Sequence, residues 1–280
     1  MIDRTPAKNG QLALLLEVAG TPKPGNVDRH REYDDLRFEQ FLAGAVGAVH
    51  GLNLAADPET GVGHAFERAI AGMSNQQAGN TQFGALLAVV PLVRAAATDR
   101  LTPESVTTVV DETTVADAVG FYTAFDHVDV AVGDPPPETD ALDVRRGSGA
   151  APELRRRDLT LGDVMAESAP VDGVAAEWVN GFERSFGAAA WLQAADGPIY
   201  RRTSEVYLRL LAEEIDTFVV TRNGAETAEE VKNRAAAVLD GVEDAESLAE
   251  EFVSRDINPG TTADLTAAAL YIALEEGLVI

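Results

Sequence analysis

Thr21-Pro22-Lys23-Pro24-Gly25-Asn26-Val27-Asp28 breaks an apolar helical stretch, and the organisation of the chain follows from that break. Proline removes a backbone donor and clashes with the preceding turn, so two prolines and a glycine in five residues cannot continue a helix. The segment is therefore a stiff connection. Together with His30, Asp34 and Asp35 it displays a lysine and three aspartates within fifteen residues, which suits chemistry better than packing. Similar loops recur at Asn80-Thr81 and at Asn258-Pro259-Gly260, and the fold is expected to bring these loops together.

Upstream, Thr5-Pro6 is a good helix start, and Leu12, Leu15, Leu16 and Ala19 mark an apolar face. Glu17, one turn before the loop, is either a solvated helix residue or one that points into a site. Downstream, Asp35 is expected to cap a long helix over 36–55, with Phe38, Phe41, Leu42, Ala45, Val46 and Val49 inward and Gly44 and Gly47 permitting close approach. A helix over 63–73 carries Glu67. Asn80-Thr81 then opens a strongly apolar helix that Pro91 should kink or split. The pair is either an N-cap or a set of free amides for an anionic group such as phosphate.

Shorter helices follow from Thr102-Pro103-Glu104 and over 113–128. Over 133–158 the pattern collapses into a long irregular insertion with three consecutive prolines, a Gly-Ser-Gly and basic runs at Arg145-Arg146 and Arg155–Arg157. Those arginines could meet a polyphosphate or pair with neighbouring carboxylates. Helices resume over 161–167, 172–195 (with Trp178, Phe182, Phe186 and Trp191 as core) and 203–216, where Val206, Leu210, Leu211 and Ile215 should face inward. A turn over 216–224 leads to helices over 227–239 and 244–253, then a last apolar helix from Thr261 or Thr262. Thr261 and Asp264 resemble a capping box. No series of alternating strands and no helical repeat is present. The expected fold is all-α, one domain over 1–280.

The formal charge is −24, from 46 acidic and 22 basic residues, which argues against nucleic acid or an anionic membrane as partner. Only three of the basic residues are lysines, a balance expected of a high-salt cytoplasm, where salt screens self-repulsion over ~3 Å at about 1 M. A lysine retained in this background, Lys23, is the one expected to have a function. Cysteine is absent, which excludes thiolate metal sites, and neither a membrane span nor a signal peptide is legible; a soluble, cytoplasmic protein is expected.

The sequence has no GxxxxGK[ST] loop, no GxGxxG after a strand, no serine elbow and no HExxH, and His30, His50, His64 and His127 lack metal-ligand spacing. What remains is a set of carboxylates and amides at helix ends: Asp28, Asp34, Asp35, Glu67, Asn80, Asp216 and Asp264. Hard oxygen ligands of this kind suit Mg²⁺ bound together with substrate phosphates. Lys23 and Arg222 supply cations for those phosphates, and a carboxylate beside a nucleotide can act as base towards a hydroxyl.

Four blocks resemble, in order and spacing, the motifs of the triphosphoribosyl-dephospho-CoA synthase family: Glu17–Asp28 (EVAGTPKPGNVD), Gly79–Gly84 (GNTQFG), Asp216-Thr217 with Arg222 and Gly224, and Asn258–Leu265 (NPGTTADL). The resemblance implies an all-α pentosyltransferase in which the ribose 2′-hydroxyl of dephospho-CoA attacks the anomeric carbon of ATP and displaces adenine. The product would be a precursor of an acyl carrier protein's prosthetic group. On this resemblance Asp34 or Asp35 and Asp216 hold Mg²⁺, and Lys23, Gly25, Asn80, Thr81, Arg222 and Gly260 bind the nucleotide. Asp28, Asp35, Asp216 and Asp264 are the candidate catalytic carboxylates. Gln82-Phe83 stands where the family has a histidine and a basic residue, Gly260-Thr261-Thr262 where it favours Gly-Gly-Ser, and its Gly-Ala-Arg-Gly-Glu-Ala segment has no clear counterpart. A related small-molecule acceptor, or nucleotide binding without turnover, are the alternatives those differences raise.

Overall fold

The structure, a computed structural model, describes residues 4–133 and 137–280, with the backbone alone for 137–139. The described residues form sixteen α-helices and no strand, so the fold is all-α. Thr5 caps α1 (Pro6–Ala19) by accepting from the Lys8 amide. The buried stripe of α1 is Ala13, Leu14, Glu17 and Val18, whereas Leu12, Leu15, Leu16 and Ala19 are half-buried.

The long helix expected over 36–55 is two, α2 (Phe38–Gly47) and α3 (Val49–Ala55), and Asp35 does not cap it. The start is closed by Arg37, whose amide donates to Gln40 Oε1 at 2.7 Å, and Asp35 is exposed. Val46, expected inward, is 62% exposed. Gly47 meets α4 (Val62–Met73) backbone to backbone: a Cβ there would lie 2.1 Å from the Gly72 carbonyl.

Pro91 does not split α5 (Phe83–Thr98). Proline frees the carbonyl four residues earlier, that of Leu87, and Trp178 Nε1 donates to that oxygen at 3.1 Å. The missing helical bond is thus replaced from a neighbouring helix.

Thr102 and Thr114 cap α6 (Pro103–Asp111) and α7 (Val115–Ala124) through capping boxes with Ser105 and Asp117. The insertion is less irregular than its sequence suggests. It contains 3₁₀ turns over Pro137–Leu142 and Val144–Ala150, then α8 (Ala151–Arg157). Pro135 and Pro136 lie outside the described residues. Its arginines meet carboxylates, Arg145 with Asp143 and both Arg156 and Arg157 with Glu153, whose pKa these contacts lower to about 2.

After α9 (Leu161–Ser168), the expected helix over 172–195 is divided into α10 (Gly173–Val179) and α11 (Glu183–Ala194). Gly181 and Phe182 adopt φ of +64° and +61°, and this left-handed pair ends α10. Then come α12 (Ile199–Glu213), α13 (Thr217–Asn223), α14 (Ala225–Leu239), α15 (Ala245–Ser254) and α16 (Gly260–Glu275). Ile215 lies beyond α12 and is 39% exposed, and the stretch expected as a turn over 216–224 is the helix α13.

α16 is buried along nearly its whole length and packs on α1, α5, α11 and α12, as an apolar-all-round helix must. A satellite core of Tyr207, Leu211, Val231, Leu248 and Phe252 joins α12, α14 and α15. No helix is long and apolar enough to cross a membrane among the described residues.

Candidate active site

The Thr21–Pro24 loop leaves α1 through a cis Thr21–Pro22 peptide and is fastened at almost every carbonyl. Ser204 Oγ donates to the Pro22 carbonyl at 2.6 Å and Tyr207 Oη to that of Pro24 at 2.8 Å, both from α12. Tyr33 Oη donates to the Gly25 carbonyl at 2.6 Å and lies 3.2 Å from that of Ile257. Gly25 has φ +77°, and a Cβ there would fall 2.2 Å from the Ile257 carbonyl, so only glycine fits. Asn26 Nδ2 donates to Asn258 Oδ1 at 3.0 Å and ties the first motif block to the last.

Lys23 is fully buried. Its ammonium donates to Glu17 Oε1 and, at 3.0 Å, to Asn26 Oδ1, with the Tyr207 ring centroid 5.9 Å away. Glu17 is therefore an inward residue, not a solvated one. Burial pushes its carboxyl pKa up, and Lys23 opposes the rise. Asp28 accepts from Thr21 Oγ1 (2.9 Å) and from the amides of Lys23 (3.1 Å), His30 (2.8 Å) and Arg31 (3.0 Å). With both oxygens engaged it organises the loop itself.

Helix starts meet this loop. Asp216 caps α13 through the Val219 amide at 3.0 Å and accepts from the Thr262 amide and hydroxyl, each at 2.7 Å. Thr217 Oγ1 lies 3.0 Å from Thr261 Oγ1 and accepts from the Gly173 amide at 3.0 Å, which links α13, α16 and α10. Thr261 sits inside α16, so the capping box expected with Asp264 does not form; Asp264 instead faces the start of α5. A Cβ on Gly84 would lie 2.0 Å from Asp264 Oδ2, so the carboxyl occupies the space that a side chain would take.

Burial raises the Asp264 pKa well above the usual carboxylate range, and the charges of Glu17, Asp216 and Asp172 raise it further, while a hydrogen bond from the Ala85 amide opposes them. Burial also raises Asp216, whereas Asp172 is exposed at the start of α10. Acids crowded in this way resist ionising together, and the arrangement favours the protonated form of Asp264.

The remaining candidates lie apart. Asp34 and Asp35 are exposed and line a cleft of about 540 Å³ with Arg37, Glu39, Gln40 and Gln76. Asn80 Oδ1 accepts from the Phe83 amide at 3.2 Å, but α5 starts at Phe83 with Gln82 as its N-cap, so the Asn80-Thr81 pair is not the cap; Thr81 Oγ1 and Gln82 Oε1 are buried without a partner among the described residues. Arg222 is half-exposed against Asp256 at 3.4 Å, Gly260 packs on the Phe218 ring, and Glu67 pairs with His127 Nε2 at 2.6 Å. Among the described residues no three His, Asp or Glu side chains form a metal-binding group, so Asp34, Asp35 and Asp216 are not gathered around one ion. Sequence reasoning missed Asp172, Tyr207 and Thr262. Only Thr262 carried a signal, its position within the last motif block.

The family described as CitG: ATP:dephospho-CoA triphosphoribosyl transferase matches residues 3–279. Among solved structures, the crystal structure of a protein described as a triphosphoribosyl-dephospho-CoA synthase from Archaeoglobus fulgidus superposes with a TM-score of 0.68. It is 25% identical and covers 84% of this chain and 99% of that one. No curated protein sequence matches significantly. The family match spans nearly the whole chain, and the ends of its motif blocks meet at Glu17, Lys23, Asp216 and Asp264; the chain belongs to the CitG family of ATP:dephospho-CoA triphosphoribosyl transferases.

Proposed function

We propose that this chain moves the triphosphoribosyl group of ATP onto the ribose 2′-hydroxyl of dephospho-CoA within the polar interior bounded by Glu17, Lys23, Asp216 and Asp264. The bond from the 2′-oxygen to the anomeric carbon forms as the bond from that carbon to adenine N9 breaks. The hydroxyl loses a proton and the leaving adenine gains one. Asp264, which keeps its proton above the usual range, supplies the adenine. Glu17 is buried, its carboxylate accepts from the Lys23 ammonium and from no backbone amide among the described residues, and it takes the hydroxyl proton. Lys23 uses two of its three N–H groups on Glu17 and Asn26, which leaves one for a phosphate oxygen.

Mg²⁺ enters this reading as part of the substrate, offsetting the triphosphate charge. Asp216 does not fit as its ligand, because its oxygens already accept from N–H and O–H donors. The adjacent exposed carboxylates of Asp34 and Asp35 fit a hydrated ion carried by ATP. A cytoplasm rich in salt suits the net charge of −24.

The observation that carries the reading is the seating of Asp264 against Gly84, beside Glu17 and Asp216. Mass spectrometry of ATP, Mg²⁺ and dephospho-CoA incubated with the protein in concentrated KCl tests it. Free adenine and a triphosphoribosylated acceptor are expected, and their absence removes the reading. The unpartnered Thr81 Oγ1 and Gln82 Oε1, beside the departure at Gln82-Phe83, favour one second reading: the same chemistry on a different hydroxyl acceptor. Adenine release with another cofactor precursor but not with dephospho-CoA separates the two.

A further inference from the structure

We infer that the acceptor, a nucleoside diphosphate with an extended amide-bearing arm, binds in a cavity on the far side of the Thr21–Pro22 peptide; this rests on the function proposed above. The cavity is about 690 Å³, within the range of about 300–1,000 Å³ usual for small-molecule sites. It lies between the loop, α12, the end of α14 and the start of α15.

Its lining has two characters. One wall carries the guanidinium groups of Arg201 and Arg209 beside His30, and Tyr200 in the same wall has the guanidinium of Arg201 at 5.8 Å from its ring centroid and, from just outside the lining, that of Arg29 at 5.1 Å. The two acids in the lining are already answered, Glu205 by Arg209 at 2.7 Å and Glu246 by Arg31. Arg29 and Arg201 have no carboxylate partner among the described residues, in a chain with 46 acids to 22 bases. Two guanidinium groups left unneutralised on one aromatic ring suit a diphosphate. The other wall is apolar, formed by Leu208, Val238, Leu239 and Ala245, and suits the methyl and methylene groups of such an arm.

The partition between this cavity and the polar interior is the loop itself. Thr21 and Pro22 face the cavity, and the next residue, Lys23, turns inward to Glu17. An acceptor with its diphosphate on Arg29 and Arg201 and its arm on α14 therefore brings its ribose to the edge of the reaction site.

Steady-state adenine release by the full chain tests this, with dephospho-CoA and with ADP, which has the ribose and diphosphate but no arm. For R201E and for the R29E/R201E pair, the KM of either acceptor should rise about tenfold or more, with the KM for ATP within about twofold of wild type. For Val238→Asp, the KM should rise for dephospho-CoA alone. An unchanged acceptor KM, or a rise in the KM for ATP instead, overturns the assignment. A wild-type protein that releases no adenine overturns the proposed function, and calorimetry with dephospho-CoA then decides the cavity separately. Binding by wild type that is lost in R201E supports the cavity; equal binding by both, or none by wild type, overturns it.

Discussion

The Lys23 ammonium and the Glu17 carboxylate form an ion pair inside the protein, between the last turn of α1 and the loop that follows it. An ion pair taken fully out of water adds little net stability, but removing one member strands the other. Lys23→Met should cost about 3–5 kcal/mol, read as a fall in melting temperature, and the Glu17→Gln/Lys23→Met pair should recover much of that loss. A double variant no more stable than the single one contradicts a paired interior charge.

Gly84→Ala should displace Asp264 with little change elsewhere, since the added methyl would sit 2.0 Å from Oδ2. A displacement of about 1 Å at a reacting group can cost about 100-fold in rate, and a loss of that order in kcat is expected. The substitution tests whether the carboxyl must lie at the start of α5 to act.

Asp216→Asn replaces an acceptor of three hydrogen bonds by a group that turns N–H against N–H. A loss of about 1–3 kcal/mol in unfolding free energy is expected, with the Mg²⁺ concentration for half-maximal activity unmoved. A shift in that concentration would return Asp216 to the metal.

The raised pKa of Asp264 fixes the sign of a pH effect. The folded state holds a proton that the unfolded state gives up at ordinary carboxylate pH. The contribution of this group is therefore fully present below its unfolded pKa and is lost as pH rises through its folded value. Asp264→Asn, which cannot ionise, should gain on wild type in urea unfolding as pH goes from about 5 to about 8. A constant difference across that window contradicts a carboxyl held protonated by burial.

Asp34→Asn with Asp35→Asn should raise the Mg²⁺ concentration for half-maximal activity about tenfold or more, with melting temperature nearly unchanged because both residues are exposed. Titration of adenine release with MgCl₂ checks it, and an unaltered curve removes these residues from the Mg²⁺–ATP path.

Local chemistry made much of this molecule legible before any contact was known. Thr5 and Thr102 cap helices because a short hydroxyl before a helical run has one good use, the free amide three residues on. The all-α architecture follows from apolar periodicity, and the TPKPG loop is stiff for reasons contained in its own five residues. Where two contexts compete, local pattern failed. Pro91 reads as a helix breaker until Trp178, 87 positions away in sequence, supplies the donor that the freed Leu87 carbonyl accepts. Glu17 reads as either a solvated helix residue or a site residue, and Asp264 as either a capping acid or a catalytic one; packing by other helices placed Glu17 in the interior and Asp264 half-buried against α5. The sequence by itself determined the helices, the loops between them and the motif residues they carry, because hydrogen bonding and backbone freedom act over a few residues. Only the tertiary structure decided which of the acids lose water and crowd each other, Glu17 and Asp264 rather than Asp34 and Asp35, because desolvation depends on which helices close over a side chain.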